Sequence, residues 1–440
     1  MPEPSTPLNH LRALVLATTY PRWEKDSTPH FVFDLNQQLA PKVETWVLVP
    51  HFEGAKYSEE MEGVRIIRFP YFFPTRLQCL CYEGGILPNL KSSWLARFQL
   101  PFFLVFQFLA ILKAVRKHKI NFIHCNWLIP QGFFSLIIHK LYNIPYILTA
   151  LGGDVFSFRN IPGFRFLKSL ILKNSLLCTA NSHDLIQNLK VLSPSTKLQY
   201  IPVGVDDEFF NKKKFDPQLK IELKISGPFL LAVGRFAEKK GFKYLIDAMP
   251  EVLSEFPKAK LVFIGYGPKE TELKTQVKNL GLEEKIIFVG GQSRSDLSRY
   301  YATADIFIGP SIVAEGGDTE GQPAAFSEAM ASKTAIIASD VGGIKDMVKN
   351  GETGLLIHQK DPKAITKAII TLCKDSALKQ QLEQNGKEHI INLFRWHAVA
   401  KQYMRIYENI DKSLEQSSSS LSSPNTVLKK NSPQGKEISS

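Results

Sequence analysis

Cysteine is scarce, and what there is does not pair by spacing. Cys79, Cys81, Cys125, Cys178 and Cys373 form no CxxC motif. An odd, scattered set argues against a disulfide framework and for a reducing compartment. No His/Cys/Asp cluster has ligand spacing, so no metal site is expected. The start, MPEPSTPLNHLR, lacks a charged region followed by an apolar core, so no secretory signal is expected. No run of 18 apolar residues exists, so no spanning helix is expected. The nearest candidate is LPFFLVFQFLAIL at 100–112, followed by Lys113, Arg116, Lys117 and Lys119. It reads as a buried core helix, or alternatively as a face that dips into a membrane interface beside basic anchors. No Lys/Arg cluster alternates with aromatics on a nucleic-acid reading motif, so nucleic acid is not an expected partner.

What is present describes a folded chain. It has 440 residues, 44 % hydrophobic and 22 % charged. That length is too great for one core and fits two domains. The formal charge of +12 is uneven. Up to Val205 there are 21 Lys+Arg against 12 Asp+Glu, and beyond it 33 against 30. A basic first half suits an anionic surface or ligand, with anionic lipid headgroups the better match, although a solvated basic surface has the same composition. The expected location is cytoplasmic, with peripheral contact at the inner face of the membrane.

Strand-like and helix-like runs alternate along the chain. Residues 13–18, 45–49, 64–69, 122–124 and 146–149 read as buried strands, and 31–39, 102–118 and 132–142 as helices. Residues 1–11 read as a loose arm, and 70–99 as an irregular, aromatic-rich loop excursion with function. Residues 201–227 read as a linker, after which the βα alternation restarts. The fold class is α/β, a doubly wound parallel sheet formed twice. The domains expected are 12–205 and 206–395, with a helix at 396–412 packing back on the first and a disordered tail at 413–440.

Residues 319–331, TEGQPAAFSEAMA, carry the most chemistry. They place Glu320 in a Gly-containing turn and Glu328 in the helix that follows, with Pro323 in the first helical turn. The amides of Gly321 and Ala324 then point outward with the positive end of the helix dipole, a terminus that attracts phosphate. An acid beside a phosphate cradle, with a second acid deeper, suits a substrate bearing a diphosphate and hydroxyls. An ordinary helix with an acidic first turn looks the same in isolation, but here a strand and a Gly-Pro-Ser loop precede it and another strand follows.

A second basic loop, GRFAEKKG, follows the strand at 229–233. Gly234 permits a close turn, and Arg235 and Lys240 offer a planar fork of donors and a mobile point charge. In a doubly wound sheet these strand ends converge with Glu320. GYGP at 265–268 lacks the third glycine of a dinucleotide fingerprint and reads as a tight turn. Asp154 and His30 fit cleft positions on the first domain, and capping is the structural alternative for Asp154.

The motifs GRFAEKKG, FIGYGP, ADIFIGPS, TEGQPAAFSEAMA and SDVGGIKDMVKNGETGLLI resemble those of the retaining glycosyltransferases of family 4, of GT-B type. LATTYPRWEKDSTPHFVFDLNQQLA, HCNWLIPQG and TALGGDV in the first half are similar to one branch of that family. The resemblance implies two Rossmann-like domains facing a central cleft and a nucleotide-sugar donor held by the second. It implies Arg235 and Lys240 on the donor diphosphate, Glu320 on the transferred sugar and Glu328 on the ribose. The amides of 321–324, with Gly321, Gln322 and Ala324 donating, would face sugar and diphosphate. Gln292 lies in the segment matching the loop that faces the base. Asp154 and His30 are placed on the acceptor side. The chain departs from the family pattern at Leu151, where many members have histidine, so no catalytic His is assigned. It also has Tyr20-Pro21-Arg22 and Thr28-Pro29-His30 where many have a Gly-rich phosphate loop. Transfer of a hexose to a saccharide or lipid-linked acceptor, with retention, is thus implied, in cell-surface polysaccharide or glycolipid synthesis. No cofactor and no metal is required, because cations take the metal's place. A nucleotide-sugar epimerase of the same architecture and a catalytically retired scaffold are the other readings.

Overall fold

The computed structural model describes residues 8–23, 26, 28–82, 85–157 and 161–421, without the side chains of Asn9 and 417–421. Runs rich in Val, Ile and Leu become strands covered on both faces, as parallel sheets require. The first sheet contains β1 (Leu8–Leu16), β2 (Val43–Pro50), β3 (Ser58–Met61), β4 (Val64–Phe69), β5 (Phe122–Asn126), β6 (Tyr146–Ala150), β7 (Leu177–Ala180) and β8 (Leu198–Tyr200). Its order is β3-β4-β2-β1-β5-β6-β7-β8. Only the β3/β4 pair is antiparallel. The second sheet contains β9 (Phe229–Val233), β10 (Lys260–Ile264), β11 (Ile286–Phe288), β12 (Ile306–Gly309), β13 (Ala335–Ser339) and β14 (Leu355–Ile357). It is wholly parallel, in the order β11-β10-β9-β12-β13-β14.

Strand order reverses at β1/β5 in the first sheet and at β9/β12 in the second. At such a switch point the flanking loops splay apart and leave a crevice outside the carboxyl ends of the strands. The carboxyl edges of the two sheets meet. The Gln322 side chain pairs with the backbone of Val203, accepting from its N–H at 2.7 Å and donating to its carbonyl at 2.8 Å. His183 Nδ1 lies 3.0 Å from Asp346 Oδ1. The chain crosses between domains twice, where Val205 bridges to Arg395. The helix Trp396–Leu421 then lies against the first domain, burying Val399, Tyr403 and Tyr407 with Leu11, Leu35 and Phe122.

Several boundaries differ from the expectation. β1 begins at Leu8, inside the segment read as a loose arm, while residues 1–7 lie outside the described residues. A helix, Ile86–Ser92, forms inside the stretch read as irregular. The next helix starts at Trp94, well before 102, because Ser93 caps it by accepting from the Ala96 amide at 3.3 Å. It runs to Lys117 and is long and apolar enough to cross a membrane, contrary to the expectation of no such helix. One side of it packs into the domain core through Phe103, Ile111 and Ala114, as a core helix would, but only 33 % of its apolar stretch is buried. The last helix continues to Leu421, past the expected start of the tail, and 422–440 lie outside the described residues. All five cysteines are free thiols.

Candidate active site

The residues singled out after β9 and β12 meet at the second switch point. Gly234 closes β9 with φ +149°, and a Cβ there would come within 3.0 Å of the Lys240 chain. Lys240 ends a single tight turn, Glu238–Lys240. Its Nζ lies 3.0 Å from Glu320 Oε1, with the two side chains 15 % and 8 % exposed. Lys239 turns the other way, to Asp318 at 3.3 Å and to the Thr319 carbonyl at 3.3 Å. Burial opposes ionisation of Glu320. The Lys240 and Lys239 ammonium groups outweigh it and hold the carboxyl below the ordinary glutamate value. Glu320 is therefore a desolvated, charged carboxylate at the cleft. Arg235 follows Gly234 and is half-buried at the end of the same strand.

The loop bearing Glu320 is clamped from behind. Gly343 N–H donates to the Glu320 carbonyl at 3.0 Å. A Cβ on Gly343 would sit 1.8 Å from the Gly321 carbonyl oxygen, so only glycine allows this contact. From the other side, a Cβ on Gly321 would lie 3.1 Å from the Leu151 carbonyl and 3.2 Å from Asn181, both on the first domain. Pro323 precedes the helix Ala324–Ala331 as its cap with extended ψ, one position earlier than expected. The amides of Gly321, Gln322 and Ala324 have no protein acceptor among the described residues. They form an unpaired donor row at the positive end of the helix.

Glu328 lies one turn into that helix and lines an interdomain cavity of about 240 Å³ with His30, Asp34, Gln292, Arg294 and Trp396. Burial pushes its carboxyl up, offset in part by the Tyr301 hydroxyl and Arg294. Arg294 spans the cleft, 3.2 Å from Asp206 and 3.6 Å from Asp34 of the first domain. It also lies over the Phe209 ring at 4.7 Å. Burial raises the Asp34 carboxyl to about 6, against the pull of Arg294 and His30. Neither Arg294 nor Asp34 was expected. A cation two residues beyond Gln292, and an acid four beyond His30, were the available signals.

Other expected residues sit differently. Gln292 lines the cavity, and its amide donates to the Val289 carbonyl at 2.9 Å. The Gln322 side chain is committed to Val203, so only its backbone faces the donor row. Asp154 is buried with both oxygens engaged. One accepts from Leu128 N–H at 2.9 Å, the other from Leu151 N–H at 3.2 Å and Gly152 N–H at 3.0 Å. It ties the strand-end loop together from inside the short helix Gly153–Phe156 and is not the cap that stood as its alternative. His30 lies in the cavity wall with Nε2 2.8 Å from the Asp26 carbonyl. His124 is buried between Tyr407 and Thr149, each at 2.8 Å, and burial lowers it to about 3, so it is a neutral core residue. Among the described residues no three His, Cys, Asp or Glu side chains gather as a metal site.

The chain matches known proteins along both domains. The model of the glycosyl transferases group 1 matches residues 214–389, and that of glycosyltransferase family 4 matches 30–209. N-acetyl-alpha-D-glucosaminyl L-malate synthase from Bacillus anthracis is 25 % identical over 68 % of this chain and 77 % of its own length. Phosphatidyl-myo-inositol mannosyltransferase from Mycobacterium leprae is 32 % identical over 42 % of this chain. The amylovoran biosynthesis glycosyltransferase AmsK from Erwinia amylovora is 30 % identical over 49 %. The chain spans about half the length of these last two, 47 % and 52 %. The solved sucrose-phosphate synthase from Thermosynechococcus elongatus superposes with a TM-score of 0.74 at 22 % identity, covering 92 % of this chain and all of its own. Anabaena HepE in complex with UDP-glucose superposes at 0.69 and 15 %, covering 91 % of this chain and all of its own. Two facing doubly wound domains and two family matches that together take in most of the sequence place this chain among the family 4 (group 1) glycosyltransferases of GT-B fold.

Proposed function

We propose that this protein moves a hexose from a nucleotide-sugar donor to a saccharide or lipid-linked acceptor, with retention at the anomeric carbon. The observation that carries this reading is the buried Lys240–Glu320 pair beside the unpaired amides of Gly321, Gln322 and Ala324. An anionic diphosphate suits that amide row, with Lys240 and Arg235 countering the charge that grows on it as the sugar leaves. Glu320, kept ionised, accepts from sugar hydroxyls and stabilises a centre with oxocarbenium character. Glu328 faces the cavity where the ribose hydroxyls of the donor would lie, with Gln292 and Arg294 towards the base.

No side chain stands ready as a proton acceptor at position 151, which is leucine. A donor phosphate oxygen takes the acceptor's proton in this reading. The cations and the helix terminus do the work for which other sites use a metal, so transfer is expected to persist in a chelator. A place in polysaccharide or glycolipid synthesis is supported by relatives whose names mention amylovoran biosynthesis and phosphatidyl-myo-inositol, and reaction on the cytoplasmic side of a membrane is part of the same proposal.

Calorimetric titration with UDP-, GDP- and ADP-hexoses tests the donor, and anomeric proton couplings of the product test retention. Binding of one donor class and transfer that Glu320→Gln removes are the expected results. A chain that binds none of these donors overturns the reading. Turnover without acceptor, giving an altered free sugar, assigns an epimerase instead.

A further inference from the structure

The helix Trp94–Lys117 is apolar on its exposed side as well as on its buried one. Its inward residues include Gln99 and Gln107, both buried. Gln99 accepts from the Cys79 amide at 3.0 Å and donates to the Leu77 carbonyl at 2.6 Å, tying the helix to the domain. Five of its exposed residues are apolar and lie between the basic ones. Trp94, Phe98, Phe102, Val105 and Leu109 recur at steps of three and four and so share one side. Trp94 is 75 % exposed, Val105 57 %, Phe98 54 % and Leu109 52 %. At about 1.5 Å per residue the stripe runs about 22 Å. Phe72 widens it, with its ring 6.0 Å from Phe98 and 5.7 Å from Phe102. A water-facing helix has the opposite arrangement, and a contiguous apolar patch of this kind marks a docking surface.

The charges around the stripe identify what docks. Between Glu83 and Asp154 the sequence has seven Lys and Arg and no Asp or Glu. Lys91 and Arg97 stand exposed at one end of the stripe, and Lys113, Arg116 and Lys117 at the other. A second copy of this chain would set like charges against each other on the same patch. A surface both apolar and anionic meets both halves of the pattern. The opposite side of the helix buries Phe103, Ile111 and Ala114 in the domain core, so the helix lies along the membrane plane. None of the stripe residues lines the interdomain cavity.

We propose that the Trp94–Leu109 face of this helix, with its flanking lysines and arginines, docks the first domain on an anionic lipid bilayer. The inference stands apart from the transfer chemistry, so donor binding and vesicle binding can fail independently. Sedimentation with vesicles of phosphatidylcholine alone, or mixed with phosphatidylglycerol, tests it. The full chain is expected to sediment with the mixed vesicles at low salt, and weakly with phosphatidylcholine alone or at high salt. Lys113→Ala with Lys117→Ala should weaken binding about fivefold per cation removed. Phe98→Ser with Leu109→Ser should lower it at least about tenfold. Unchanged thermal midpoints and donor binding would show that these variants fold. Absence of binding by the intact chain, or equal binding by the stripe variant, overturns the proposal. So does a dimer by light scattering that the stripe variant dissociates, which would assign the patch to a second copy.

Discussion

Lys240→Met keeps an unbranched chain beside Gly234 and removes the charge that faces Glu320. The pair lies at 3.0 Å with side chains 15 % and 8 % exposed, so it is not an exposed pair worth about 0–1 kcal/mol. Removing one partner of a buried pair costs about 3–5 kcal/mol, because the other is left charged and desolvated. Lys239 still acts on Glu320, which places the expected loss at the lower end, about 3 kcal/mol. For a domain of this size each kcal/mol moves the thermal midpoint by about 2–4 °C, giving a fall of about 6–12 °C by calorimetry at pH 7. Adding Glu320→Gln should recover part of it, since no carboxylate is then stranded. The pH dependence has a definite sign. The folded pKa of Glu320 is lowered, so its pairing adds stability above the ordinary value of 4.5 and loses it as pH falls through the folded value. The gap between wild type and Lys240→Met should therefore narrow below about pH 4.5. A midpoint within a degree of wild type, with an unchanged pH profile, would refute the reasoning.

Glu320→Gln should retain donor binding and lower the transfer rate about 10²–10³-fold, whereas Glu328→Gln should weaken donor affinity about tenfold or more with a smaller change in rate, as titration and initial rates will show. Gly343→Ala puts a methyl 1.8 Å from the rigid Gly321 carbonyl, so a loss of about 1–3 kcal/mol and a displaced Glu320 loop are expected, read as a lower midpoint together with weaker donor binding. Asp34 has its folded pKa raised from 3.8 to about 6, so its contribution is present below pH 3.8 and is lost as pH rises through 6. Asp34→Asn should flatten stability across that window in a series of melts, and a variant whose slope matches wild type would contradict it. Chelator in the transfer assay should leave the rate unchanged.

The architecture was legible because its signals are local. Continuous apolar runs such as 229–233 and 335–338 have only one good home, a strand covered on both faces. Lys240, Glu320 and Glu328 were legible as a set because they lie in or just beyond strand-to-helix turns and carry groups that suit phosphate or hydroxyl, with Gly234 permitting the close turn. The Trp94 start of the apolar helix was missed because Pro101 and the aromatic residues before it look like a loop, and the Ser93 cap outweighs them. The side-chain partners of Gln322 and Asp154 were not legible for a different reason. Their side chains bond to backbone at Val203, Leu128 and Leu151, and no pattern in their own neighbourhood announces those partners.

By itself the sequence determined two rounds of βα alternation and the inventory of charged groups at strand ends, because periodicity and strand-to-helix turns depend on residues a few positions apart. Only the tertiary structure decided which of those groups meet. The reversal of strand order between β9 and β12 brings Lys240 onto Glu320, and the facing of two sheets brings Arg294 onto Asp34. Both contacts join segments far apart in the chain, and their strength comes from the burial that the assembled domains impose on charges which, in the separate segments, water would solvate.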